Sequence, residues 1–92
     1  MDDSKIIITI VGADKVGIVA TITNIMAKYQ VNIEDIRQTI MRGCFNMMML
    51  VDFSNATCSF QEFKDNLSGE ADKIGMEIWI QRKEIFDKMH FI

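Results

Sequence analysis

A β-branched apolar run, Lys5-Ile6-Ile7-Ile8-Thr9-Ile10-Val11, leads through Gly12-Ala13-Asp14-Lys15-Val16-Gly17 into a segment of helical period. This opening constrains the fold more than any other feature. A strand apolar on both faces belongs inside a sheet with cover on both sides or nearly so. The helix that follows places Ile18, Val19, Ile22, Ile25, Met26 and Tyr29 at helical spacing, with Thr21, Thr23, Asn24, Lys28 and Gln30 on the remaining faces. Its β-branched content is poor for a helix, so packing must supply what propensity does not.

The alternation then continues. Asn32 opens a second strand through Met41, polar enough for a sheet edge, and the slip in spacing between Ile33, Ile36 and Ile40 predicts a bulge. Arg42-Gly43 reads as a hairpin turn. A third strand, Cys44 to Phe53, carries Phe45, Met47, Met49, Val51 and Phe53 on one face and Met48 and Leu50 on the other. Ser59-Phe60-Gln61-Glu62 is a capping box, with Cys58 and Phe63 placed as a hydrophobic staple. Phe60, Phe63, Leu67, Ala71 and Ile74 form the apolar stripe of this second helix, which Gly75 closes as its C′ residue. Met76 to Arg82 alternates as a fourth strand, with Trp79 outward.

The order is βαββαβ, which is the α+β, ferredoxin-like arrangement. Right-handed crossovers put both helices on one face of a four-stranded antiparallel sheet. Residues 1–83 read as one domain, and 84–92 as a C-terminal tail forming a short helix with Ile85, Phe86 and Met89. The other sheet face, with Trp79 and one side of the first and third strands, is left as an apolar surface for self-association.

Composition narrows function. A chain of 92 residues is one domain that buries roughly 63–65% of its extended surface, so pairing with a second copy would help a core that is 49% hydrophobic in composition. A net charge of −3 with no Lys/Arg cluster argues against nucleic acid. The apolar stretches are strand-sized, which argues against a membrane span, and Met1-Asp2-Asp3-Ser4-Lys5 has the wrong charge order for a signal peptide. The expected setting is cytoplasmic, with Cys44 and Cys58 as two buried thiols. His90 is the only histidine, so no His-based metal site or triad can be assembled.

Three catalytic or nucleic-acid motifs fail on their own residues. Gly12 and Gly17 have P-loop spacing, but Ile18 and Val19 stand where Lys and Ser/Thr are required. Arg42-Gly43-Cys44-Phe45 has the start of an RNA-recognition strand without the stacking aromatics. An acylphosphatase needs an arginine in the first loop, and this loop has none. We therefore expect no catalytic residue, no metal and no cofactor.

The glycine turn admits two readings. In the structural one, Gly12 ends a strand, Gly17 lets the helix pack close and Asp14 caps it. In the functional one, free backbone N–H groups at the helix start hold a carboxylate or phosphate.

Gly12 to Thr23, followed by Gln30-Val31-Asn32-Ile33, resembles the ACT domain, whose pattern is a glycine or alanine, Asp-Arg-Pro-Gly, an apolar pair, then Val/Ile-Asn-Ile opening the second strand. The likeness runs over residues 5–83 in element order. The chain is similar to small stand-alone ACT proteins of prokaryotes and, in the loop, to the ACT half of glycine-cleavage repressors. The resemblance implies a regulatory homodimer that binds a small amino acid or related metabolite and signals to a separate protein partner. By position it assigns Gly12, Asp14, Lys15, Val16, Gly17 and Ile18 to the ligand loop, with Asn32 and Ile33 beside it. Val16 replaces the family's proline, and Lys15 keeps the arginine's charge without its bidentate fork. The alternative is an interaction module of the same fold that binds no metabolite.

Overall fold

In the computed structural model, which describes residues 4–90, β1 (Lys5–Ala13), β2 (Asn32–Met41), β3 (Cys44–Asp52) and β4 (Glu77–Arg82) form one antiparallel sheet ordered β2-β3-β1-β4. Helices α1 (Ile18–Lys28) and α2 (Phe60–Lys73) complete the βαββαβ order, and α3 (Lys83–His90) follows β4 directly and touches β1 and β4. The expected ferredoxin-like arrangement is the observed one.

Alternation explains the core. Ile6, Ile8 and Ile10 of β1 and Phe45, Met47, Met49 and Val51 of β3 point to one face, where Ile22, Ile25 and Met26 of α1 meet Phe63, Leu67 and Ala71 of α2 in a single cluster. Phe63 is fully buried, with Tyr29 edge-on at 6.3 Å and Phe53 at 5.2 Å. On the other face Trp79, Thr9 and Met48 stand in one row across β4, β1 and β3, and Trp79 is 53% exposed.

The bulge in β2 falls between Ile33 and Asp35, leaving Glu34 as the extra residue. It moves Ile36 onto the same side as Ile33, as the slipped spacing required. Because β2 is the edge, Ile36 and Ile40 lie beyond the helices and stay 40% and 55% exposed. At the start of α2, Ser59 Oγ accepts the Glu62 N–H (3.1 Å), so the cap side of the box is formed. At its end Gly75, with φ +72°, follows the C-cap residue Ile74.

Several local expectations need correction. Gly12 does not end the first strand, which runs on to Ala13 because β3 extends opposite it to Cys44. β3 stops at Asp52 and β4 starts at Glu77, one residue inside the expected bounds. The cysteines are not two buried thiols. Cys44 is exposed, since it begins β3 beside the hairpin turn, and Cys58 is half-buried; both are free. The expectations for Met1-Asp2-Asp3, for residues 91 and 92 and for the Met89 side chain lie outside the described residues.

Candidate functional site

The β1–α1 loop is built from constraints at both ends. At Gly12 a Cβ would lie 2.6 Å from Met76 Sδ and 3.3 Å from Gly75 O, so a side chain there would displace the Met76 thioether and press the α2–β4 turn outward. The Asp14 N–H donates to Gly43 O (2.8 Å), tying the loop to the β2–β3 turn. Val16 is fully exposed at the tip.

Gly17 then enters the helix at φ +90°, in the left-handed region. Nothing lies within 4 Å of where its Cβ would be, so backbone conformation, not close packing, requires glycine here. Ile18 returns the chain to the core at 2% exposure.

Within α1 the Thr21 N–H bonds Gly17 O (2.9 Å). The amides of Ile18, Val19 and Ala20 precede that bond and have no acceptor within the helix. No side chain caps them, and no acid stands in the first turn. Asp14, expected as a cap under the structural reading, does not fill that role. These amides, with the positive end of the helix dipole behind them, suit a carboxylate or phosphate.

Lys15 is committed elsewhere: its Nζ donates to Ile74 O (2.9 Å) at the end of α2. No sequence signal announces that contact, because the two residues are 59 positions apart. Asn32 is exposed and pairs with Asp52, while half-buried Ile33 pairs with Val51. Asp52 in turn faces Lys5, whereas the loop leaves β1 at Ala13. Eight strand steps separate those ends, roughly 26 Å. One chain thus gathers Gly12, Asp14, Lys15, Val16, Gly17 and Ile18 at one end of the sheet, with Asn32 and Ile33 at the other.

That far end holds an ion cluster. Lys5 Nζ bonds the Glu34 carboxylate and reaches Asp52 Oδ2 at 3.4 Å. Asp52 is lowered to about 2, first by the Ser54 backbone N–H (2.9 Å) and hydroxyl, then by Lys5. Lys5 is raised, chiefly by Glu34. Burial pushes the Cys58 thiol up. Among the described residues no three His, Cys, Asp or Glu side chains are grouped to hold a metal, and no helix is long and apolar enough to cross a membrane.

Comparison with known proteins agrees with this architecture. The family profile described as ACT domain matches residues 4–81. A UPF0237 protein of Bifidobacterium longum is 49% identical over 89 residues, covering 97% of this chain and 99% of that one. The solved ACT domain protein from Streptococcus pneumoniae is 36% identical with a TM-score of 0.77, covering 90% of this chain and 93% of that one. The regulatory subunit of aspartate kinase from Thermus thermophilus shares the fold at a TM-score of 0.67 and 22% identity, over 87% of this chain and 52% of that one. With the profile matching residues 4–81 and the Bifidobacterium and Streptococcus relatives covered over nearly their full length, this chain belongs to the ACT domain family.

Proposed function

We propose that this chain is a regulatory module that works as a homodimer and holds a small amino acid, or a metabolite with the same carboxylate, on the β1–α1 loop. The observation that carries this reading is the uncapped start of α1, where the amides beyond Gly17 meet neither a side-chain cap nor a first-turn acid. A carboxylate there would take the N–H groups at Ile18 and its neighbours, while Asp14 would meet the amino group. Gly12, Lys15 and Val16 would shape the loop around it. Family membership and the regulatory subunit of aspartate kinase among the fold's neighbours support a regulatory role.

A second copy would complete the site. Two β2 edges paired antiparallel would carry Asn32 and Ile33 of one copy toward the Arg42-Gly43 turn of the other, where Asp14 is tied. Such a module would act in the cytoplasm and pass its signal to a separate protein partner. No catalytic step is assigned to it.

A thermal-shift screen of the twenty amino acids tests the ligand, since a binder present at 100 Kd adds about 2.7 kcal/mol, roughly 10–20 °C for a chain of this size. Sedimentation at micromolar concentration tests the dimer; a 10.6 kDa species would contradict it. The fully exposed Val16 favours one other reading, an interaction module without metabolite. The absence of any shift, together with a Gly17→Leu variant that still engages its natural partner, would decide for that reading.

A further inference from the structure

The β1–α1 loop and the α2–β4 turn meet at more than one point. Lys15 Nζ bonds Ile74 O at 2.9 Å, and a Cβ on Gly75 would lie 3.1 Å from the same Nζ. Separately, Met76 Sδ and Gly75 O close over Gly12. The end of α2 explains why a cation is received there. The Gly75 N–H bonds Asp72 O (3.1 Å) and the Met76 N–H bonds Ala71 O (2.8 Å), so the left-handed turn at Gly75 lets these two successive amides satisfy two of the last carbonyls. The Ile74 carbonyl lies past them at the negative end of the helix, and the Lys15 ammonium takes it.

We infer that Lys15 is a positioning residue, not a ligand contact: its ammonium straps the β1–α1 loop to the C-terminal end of α2, so that loop and turn behave as one unit. The strap is a property of the free protein. Its bearing on ligand affinity rests on the binding reading proposed above. In that setting Lys15 fixes the approach to Gly17, and so the aim of the α1 amides, from the opposite end of the other helix. A change at the loop is then felt at Gly75 and Met76, immediately before edge strand β4.

Amide exchange by NMR on the unliganded protein tests the strap with Lys15→Met and Lys15→Arg. A charge-assisted hydrogen bond at an exposed site predicts that Lys15→Met speeds exchange about fivefold at the bonded amides of both segments together, Gly75 and Met76 in the turn and Asp14 in the loop. Lys15→Arg restores both sets, and the urea midpoint of all three proteins stays close. Faster exchange at the loop alone, unchanged exchange at both, or a uniform rise that follows the urea midpoint would each overturn the strap. Glycine serves as the ligand probe: a threefold to tenfold loss of affinity in Lys15→Met, recovered in Lys15→Arg, is the expected coupling. Glycine that binds wild type and Lys15→Met equally would overturn that coupling, whereas no glycine binding to wild type counts against glycine as the ligand and leaves the exchange result standing.

Discussion

The two main helices of this protein begin in opposite ways. α2 starts closed: Ser59 sits in extended backbone, its hydroxyl accepts the Glu62 N–H, and Glu62 lies in the first turn. Phe63, one position on, is locked in the core. α1 starts open: Gly17 is left-handed, no side chain caps the first turn and no acid stands in it. Both helices bury a comparable stripe, so packing does not account for the difference. Ser59 takes one of the N-terminal amides of α2, whereas no side chain takes any of those of α1, and on the function proposed above these wait for a carboxylate.

The contrast can be tested by substitution, and the largest effect belongs to the closed end. Phe63→Ala should cost about 3–5 kcal/mol in urea unfolding, because a fully buried ring with two aromatic neighbours leaves a cavity that the sheet cannot fill. A smaller loss would mean that the start of α2 is less firmly anchored than its packing implies. At the open end, Gly17→Ala should cost about 1–2 kcal/mol from left-handed strain alone, since open space surrounds the added methyl. Gly17→Asn should recover part of that loss, as asparagine tolerates this conformation better. Equal losses for the two variants would place the penalty in packing instead. Ser59→Ala should cost about 1 kcal/mol, the usual effect of removing a side-chain cap.

The smallest expected effect concerns acid. Asp52 is lowered to about 2 from an ordinary 3.8, so the stability it contributes is present above about pH 4 and fades as pH falls toward 2. Asp52→Asn should flatten the stability–pH curve in that window and leave the open end of α1 unchanged. A curve that keeps its slope would assign the acid sensitivity to other carboxylates.

Much of the fold was legible because its signals are local. The capping box at Ser59, the closing Gly75 and the slipped spacing at Ile33 and Ile36 each depend on residues a few positions apart. The loop was legible as a glycine turn, but its geometry was not. Whether Asp14 caps α1 depends on how Gly17 turns the chain, and sequence does not print a dihedral angle. The destination of Lys15 was hidden for a different reason: its partner is a backbone carbonyl, which any residue at position 74 would present. The exposure of Cys44 was missed because the usual burial of a thiol was given more weight than its place at the hairpin end of β3, on the face opposite core residue Phe45.

The extra residue at Glu34 also gives the free border of the sheet a direction. Ahead of it the hydrogen-bonding groups of β2 fall out of step, and Lys5 crosses from β1 to hold Glu34. From Asp35 to Met41 their spacing is regular. An incoming strand can therefore zip along only one part of this border and must stop at the kink. The same irregularity that lets the chain tolerate a bare edge also sets where an added strand can begin.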